Sequence, residues 1–295
     1  MIVRPREHWL RMLLVWNGSV LPTILPQLVL TLAISVVAVW GGGRVLGEKV
    51  PLNPTPFTLI GLTLAIFAGF RNNASYERYR EGRQLWGGVL TATRTLVSQA
   101  LCYGAIDDDD ASRQAFVRKV VAFVYALKHQ LRGTDPSADL RTLLDGATCT
   151  RIAAARYAPV AIVHELRKAF AARADAGHLA DTRLWMLDAR LDDLVAMVSG
   201  CERIASTPIP FSYDVLLPFG LVDSIGAATP FVTVFVAYTL IALDAIAHAI
   251  AEPFGDGPNH LALDAMTRTI ERTLLELNRE PLPAEVTPGK AYRLS

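Results

Sequence analysis

The residues of this sequence that could do chemistry are scattered, and none of them completes a catalytic motif. The 295-residue chain contains six histidines and three cysteines, Cys102, Cys149 and Cys201, which lie about fifty residues apart. A zinc site or a disulfide framework needs cysteines at short, repeated intervals, so neither is predicted. The chain contains no Walker loop, dinucleotide glycine fingerprint, nucleophile elbow or HExxH motif. We therefore predict a protein that is not an enzyme and has no cofactor and no metal site.

Two groups of ionisable residues remain as candidates. Four consecutive aspartates occupy residues 107–110, but they lack the glycine turn of a calcium loop, which favours a solvated turn before a helix that starts near Ser112. Asp244 and His248 are four residues apart at the end of an apolar helix. An ionisable pair inside a membrane is a functional candidate, whereas a pair at the interface only anchors the helix end. Both interpretations of Asp244 and His248 stay open.

The composition places these residues in a membrane protein. Hydrophobic residues make up 52% of the chain and charged residues only 19%, whereas soluble domains carry about 25% charged residues. The formal net charge is +1 and no long basic run occurs. These values exclude a protein that binds nucleic acid through electrostatic attraction, and they make the lipid bilayer the expected partner.

Four segments could cross a bilayer. Residues 12–43 and 50–70 contain no Asp, Glu, Lys or Arg. Each segment is long enough for a helical span, which needs about 20 residues. Residues 224–243 are also uncharged, whereas residues 204–222 are interrupted by Asp214 and several prolines and form a short third span. The sequence therefore predicts an all-α membrane protein with two transmembrane helical hairpins, of which the third span is short.

The charged middle of the chain separates these hairpins. Apolar residues there recur at three- and four-residue steps, which is typical of a soluble helical bundle. We predict a first hairpin within residues 1–86, a cytosolic helical domain at 87–206, a second hairpin at 207–251 and a cytosolic C-terminal helix and tail at 252–295. Basic residues precede the first span and follow the second. By the positive-inside rule, both termini and the helical domain face the cytoplasm.

The second span carries the strongest functional pattern. No residue after Phe70 breaks the helix, so Arg71 and the following charges lie on a continuous extension outside the membrane. Leu62, Ile66 and Phe70 repeat every four residues and form one apolar stripe. Several copies around an axis would make this stripe a hydrophobic constriction that gates by dewetting, whereas a single stripe usually faces lipid or a packed neighbour. Small residues beside the stripe offer surfaces for helix packing: Gly61, Ala65, Ala68 and Gly69.

Four long segments resemble bacterial members of the bestrophin family of ion channels. They are RPREHWLRMLLVWNGSVLP, PFTLIGLTLAIFAGFRNNASYERYREGRQLWG, LDARLDDLVAMVSGCERIASTPIPFSY and LDAIAHAIAEPFGDGPNHLALDAMTRTIE. The resemblance implies a homopentamer in the bacterial inner membrane, with a central pore for chloride or other small monovalent ions. It also implies a pore neck of Leu62, Ile66 and Phe70 and a cytosolic aperture at Thr182, with Arg183 as the neighbouring candidate.

Two departures from that family matter for function. Eukaryotic relatives hold calcium with an acidic cluster after the PFG element, but residues 256–260 contain one carboxylate, that of Asp256. Calcium needs several oxygen ligands, so calcium gating is not expected. The third span is also shorter than the family pattern by roughly three helical turns. A membrane-anchored helical scaffold or sensor without conduction is therefore the alternative to a channel.

Overall fold

The structure, a computed structural model, describes residues 1–3, 19–40, 44–45, 48–49, 54–207, 229–289 and 292–294. The regular secondary structure in these ranges is helical apart from one short two-stranded ribbon, in agreement with the predicted all-α class. The helices are α1 (Leu21–Trp40), α2 (Pro54–Cys102), α3 (Asp110–Arg132), α4 (Ser137–Leu143), α5 (Gly146–Ala153), α6 (Ala158–Asp175), α7 (Asp181–Ser206), α8 (Thr229–Ala251) and α9 (Leu263–Leu277). The ribbon pairs β1 (Arg44–Val45) with β2 (Glu48–Lys49) in antiparallel register.

The described helices do not meet the requirements of a membrane span. Within the described ranges, none combines the length and the apolar character needed to cross a bilayer. Most of the predicted third span, and the start of the fourth, fall in residues 208–228, which lie outside the described residues.

The chain divides into two compact units. The hairpin unit contains residues 4–79 and 208–252, and the helical unit contains residues 1–3, 80–207 and 253–295. Helix α2 contributes residues to both units, because the boundary at residues 79 and 80 falls inside it. The sequence-based boundaries were 86, 206 and 251, so the largest difference lies within α2.

In the hairpin unit, α1 packs against α8 through small and aliphatic side chains. Ile24 and Leu28 of α1 are buried with Ala237 and Ala242 of α8. The outward faces of these helices expose large apolar side chains, among them Leu30, Val37 and Phe235. Exposed apolar surface on this scale marks a face that contacts lipid or another protein.

The helical unit has a conventional buried core. Helix α3 packs against α6 and α9, and α6 packs against α7. Among the apolar residues at three- and four-residue spacing, the following are buried: Val120, Phe123 and Leu127 of α3 and Leu187, Leu191, Leu194 and Val198 of α7. Leu131, Leu184 and Val195, which have the same spacing, are only partly buried. Two glycines allow α2 and α7 to approach closely. A Cβ at Gly200 would lie 2.6 Å from Leu85, and one at Gly88 would overlap the sulfur of Met197.

The four aspartates at residues 107–110 cap and tether a helix. Asp109 is the N-cap of α3 and accepts a hydrogen bond from the backbone N of Ser112 at 2.8 Å. The helix therefore begins at Asp110, two residues earlier than the predicted start at Ser112. Asp107 pairs with Arg173 at 2.5 Å, and Asp108 pairs with Arg113. These carboxylates stabilise the N-terminal end of α3, as expected for a capping turn rather than a cation site.

The two ends of the chain meet in the helical unit. The ammonium group of Met1 donates to the carbonyl of Leu294 at 2.7 Å, and the N–H of Leu294 donates to the carbonyl of Met1 at 2.8 Å. The N–H of Val3 also donates to the carbonyl of Tyr292 at 3.0 Å. Both termini therefore belong to the same unit as the middle helices.

A partly buried charge cluster joins α3 to the first turn of α9. Asp264 accepts from Arg132 at 2.7 Å, and its second oxygen lies 3.1 Å from the Nζ of Lys128. Burial alone would raise the pKa of Asp264, but the hydrogen bond from Arg132 and the charges of Arg132 and Lys128 hold this pKa below its ordinary value. Asp264 therefore contributes stability above the unfolded-state pKa of about 3.9, and the contribution is lost as the pH falls through the folded-state pKa.

We expect Asp264→Asn to lower the stability of the helical unit by about 2 kcal/mol at pH 7, because two poorly solvated cations lose their shared carboxylate. That loss corresponds to roughly 5 °C in the midpoint of thermal unfolding. The difference from the parent should shrink as the pH falls below about 4, where Asp264 itself becomes protonated. Asp256→Asn is the matched control, because the Asp256 carboxylate is exposed and its ion pair with Arg293 lies at the surface. Equal shifts in the midpoint of thermal unfolding for the two variants would contradict the stabilising role of the Asp264 carboxylate.

Candidate functional site

The stripe of Leu62, Ile66 and Phe70 lies on the free face of α2. These side chains are 60%, 50% and 59% exposed, whereas Leu64 and Ala68 of the same helix are buried. Two residues along an α-helix correspond to a rotation of about 200°, so the exposed stripe lies opposite the buried face. The stripe is therefore available to line an axis or to contact lipid.

The small residues beside the stripe do not all pack as the sequence predicted. Ala68 is buried, but Ala65 is exposed. A Cβ added at Gly61 or Gly69 would meet no atom of the described residues within 4 Å. The described residues therefore do not make the expected close packing at these glycines.

Arg71 follows the stripe directly and is held by α8. Its side chain is only 8% exposed and its Nη1 forms an ion pair with the carboxylate of Asp244. The Asp244 side chain is 34% exposed. An ion pair between partly buried groups offsets the loss of hydration that each charge would otherwise suffer. Asp244 thus finds its partner on the other helix, whereas His248, four residues further along α8, is exposed.

A second contact fixes the register of the same two helices. The Nε of Arg78 donates to the backbone carbonyl of Ala251 at 2.8 Å. Arg78 is seven residues beyond Arg71, and Ala251 is seven residues beyond Asp244. The second contact thus lies seven residues further along both helices than the first. Helices α2 and α8 therefore run in the same direction here, and the two contacts are separated by about 10 Å.

The predicted aperture residue lies in the first turn of α7. Thr182 is exposed, and it follows Asp181, the first residue of that helix. The alternative, Arg183, donates from Nη1 to the backbone carbonyl of Tyr103 at 3.0 Å. The structure thus gives the two neighbours different surroundings, since Thr182 presents its side chain to solvent and Arg183 contacts a carbonyl.

The loop after α8 is closed by hydrogen bonds within the protein. The N–H of Leu261 donates to the carbonyl of Pro253 at 2.8 Å, and the N–H of Gly257 donates to the Nδ1 of His260 at 2.9 Å. Arg293 donates to the backbone carbonyl of Asp256 and, at 3.2 Å, to its carboxylate. Within the described part of the chain, no group of three or more His, Cys, Asp or Glu side chains could hold a metal ion.

Cys201 of the helical unit is not an activated nucleophile. Cys201 is fully buried, and burial raises the pKa of its thiol to about 12. A thiol becomes reactive when its pKa is lowered by a nearby cation or a helix N-terminus, which is the opposite situation. All three cysteines are free thiols, as the sequence predicted.

The sequence of the chain matches one known protein family over most of its length. The family described as Bacterial/Fungal Bestrophin protein matches residues 1–276, nearly the whole chain. The chain belongs to this bestrophin family. The predicted resemblance is therefore confirmed, and so is the prediction that the chain is not an enzyme. Bestrophin membership also places the chain among membrane proteins that transport ions.

Two curated bestrophin relatives match over their full length. One is a voltage-dependent anion channel-forming protein of Ralstonia nicotianae, 44% identical, with 100% of both chains covered. The other is a voltage-dependent anion channel-forming protein of Escherichia coli K12, 36% identical, again with 100% of both chains covered. The Ralstonia alignment extends over 305 positions, so about ten of them have no counterpart in the 295 residues of this bestrophin.

A solved structure has the same fold. The crystal structure of a bacterial bestrophin homolog from Klebsiella pneumoniae superimposes with a TM-score of 0.81 at 39% identity. The match covers 88% of this bestrophin and 99% of the Klebsiella chain. The helical architecture described above is therefore that of a bestrophin subunit.

Sequence reasoning missed the partner of Arg71. The only local signal was the presence of a lone carboxylate, Asp244, at the end of an otherwise apolar helix. A lone charge in such a position needs a partner of opposite sign, and Arg71 lies at the corresponding end of another apolar segment. That pairing would have been a reasonable hypothesis from sequence alone.

We expect a double-mutant cycle of Arg71→Gln and Asp244→Asn to give a coupling free energy of about 2 kcal/mol. Each single change should lower the midpoint of thermal unfolding in lipid nanodiscs, and the double variant should lose less than the sum. His248→Ala serves as the control, because His248 is exposed one turn further along α8 and should have almost no effect. Additive losses from the two single variants would show that the ion pair does not hold α2 and α8 together.

We also expect ion flux through this bestrophin to be independent of calcium in the micromolar range, where calcium sensors respond. The reason is that residues 256–260 supply one carboxylate, which already accepts a hydrogen bond from Arg293. The measurement is flux into liposomes with calcium buffered from nanomolar to millimolar. A steep, reversible calcium response that survives Asp256→Ala would place a calcium site elsewhere and contradict this prediction.

Proposed function

We propose that this bestrophin is a homopentameric channel of the bacterial inner membrane that passes chloride or other small monovalent ions. The observation that carries the proposal is the position of Leu62, Ile66 and Phe70 on the face of α2 opposite its buried face. A helix with two such faces can pack within its own subunit while it presents the apolar stripe to a shared axis. The names of the curated relatives, which form anion channels, support the choice of anions.

The proposed neck is a ring of apolar side chains. Water and ions that enter such a ring lose hydration without gaining polar partners, so the ring resists wetting. The positive charge of Arg71 next to the neck is compensated by Asp244. In this proposal, residues other than Arg71 along the pore therefore set a preference for anions.

The direction of the helices supports the proposed topology. Helices α2 and α8 are the second helices of the two proposed hairpins, and they run in the same direction. Both hairpins would then return to the same side of the membrane. The pairing of residues 1–3 with residues 292–294 in the helical unit supports cytoplasmic placement of both termini.

Thr182 is the proposed cytosolic aperture. It is exposed in the first turn of α7, where the helix dipole places partial positive charge. A small hydroxyl at this position could contact a passing anion. Arg183, which donates to the carbonyl of Tyr103, is less suited to face the pore.

The second candidate function is a membrane-anchored scaffold or sensor without conduction. The observation that favours it is the absence of about ten positions that the Ralstonia relative has, together with the short third span predicted from the sequence. Flux of chloride into liposomes under opposed salt gradients separates the two functions. A stable pentamer without flux would favour the scaffold, and a stable monomer or dimer would remove the pore altogether.

We expect the triple variant Leu62→Ala, Ile66→Ala and Phe70→Ala to conduct several times more than the parent, because the smaller side chains widen the neck and make it easier to wet. The measurement is single-channel current or liposome flux, with the pentamer content checked by mass measurement. The matched control changes three equally exposed apolar residues on α1, Val29, Leu30 and Val37, to Ala. This control should conduct like the parent. Unchanged or lower flux from an intact pentamer of the neck variant would reject these residues as the constriction.

A further inference from the structure

A shallow cavity of about 530 Å³, open to solvent on one side, is lined by α2 and α9 in the helical unit. It is lined by Arg94, Thr95, Ser98 and Gln99 of α2 and by Thr273 and Leu277 of α9. The four residues of α2 are spaced so that they share one face of the helix.

Arg94 carries the charge in this cavity. Within the described part of the chain, no acidic residue lines the cavity and no carboxylate forms an ion pair with Arg94. Other arginines of the helical unit, such as Arg132 and Arg167, each contact an aspartate. Arg94 instead donates from Nη2 to the hydroxyl of Thr273 at 3.0 Å. Its Nε is buried and has no hydrogen-bond partner among the described residues.

The remaining polar groups of the cavity include acceptors in the two threonines and Gln99, whereas the hydroxyl of Ser98 and the Nε2 of Gln99 can also donate. The hydroxyls of Thr95 and Thr273 already donate to backbone carbonyls of their own helices, at 2.9 Å and 2.5 Å. Their oxygens can therefore only accept further hydrogen bonds. The Oε1 of Gln99 is buried and, within the described residues, without a partner. A buried polar atom without a partner costs free energy that a ligand can recover.

We propose that this cavity binds a short hydroxycarboxylate. The carboxylate would be held by the Arg94 guanidinium, which is well suited to bind a planar anion through two hydrogen bonds. The hydroxyl of the ligand would donate to the Oε1 of Gln99 or to a threonine oxygen, and its apolar carbons would contact Leu277. This site is distinct from the proposed pore, and its occupancy does not depend on conduction.

The test is a ligand-observed NMR titration of the full-length protein in nanodiscs with 3-hydroxybutyrate. We expect saturable binding with a dissociation constant on the order of 1 mM, as a ligand of few atoms with one charged anchor allows. The uncharged amide 3-hydroxybutyramide should bind at least about tenfold more weakly, because it loses the charged hydrogen bonds. Butyrate, which lacks the hydroxyl, should bind a few-fold more weakly. Sodium chloride at equal ionic strength is the control for simple screening of charge.

Two variants locate the binding site. Arg94→Gln should weaken 3-hydroxybutyrate binding at least about tenfold, whereas Arg83→Gln, an exposed arginine on the same helix, should leave it unchanged. Gln99→Leu should still bind butyrate, but it should lose the preference for 3-hydroxybutyrate over butyrate. This second variant keeps the test decisive if Arg94→Gln does not fold. No saturable binding by the parent, equal binding of the amide, or an unchanged preference in Gln99→Leu would each overturn the proposal.

Discussion

The architecture of the hairpin unit depends on one ion pair, that of Arg71 with Asp244. Helix α2 passes from an apolar segment into a charged one without a break, so its first cation lies where hydration is poor. Leaving a charge unpaired in such a place costs several kcal/mol, and pairing it with a carboxylate offsets much of that cost. Since Asp244 is an acidic side chain within an apolar helix, the requirement is mutual. Each helix supplies the charge that the other needs.

This pairing also sets how α2 and α8 lie against each other. The contact of Arg78 with the carbonyl of Ala251 repeats the same register seven residues further on, so the two helices are fixed at two levels rather than at one. The buried side of α2 is thereby determined, with Leu64 and Ala68 on the same face as Arg71. The opposite face, with Leu62, Ile66 and Phe70, is left exposed in the described part of the chain. The exposed stripe thus follows from the ion pair as well as from the apolar residues themselves.

Local patterns predicted much of this structure. The continuity of α2 through Phe70 followed from the absence of any helix breaker, and the cores of α3 and α7 followed from their helical spacing. The partner of Asp244 was not predicted by these patterns. The i,i+4 spacing reveals only neighbours on the same helix, whereas Arg71 is 173 residues away. The cavity at Arg94 is formed by helices that are equally far apart in sequence. Contacts of this kind depend on packing register, which composition and periodicity do not encode.

The loop after α8 shows how a turn can be held without a metal. Pro253 and Phe254 are buried, and a Cβ at Gly82 of α2 would lie only 3.0 Å from Pro253, so the loop packs closely against that helix. A Cβ at Gly257 would lie 2.8 Å from the imidazole of His260, which accepts the N–H of that glycine. Arg293 binds both the carbonyl and the carboxylate of Asp256. Packing of Pro253 and hydrogen bonds within the protein therefore close the loop, whereas the exposed Asp256 carboxylate adds only a surface ion pair with Arg293.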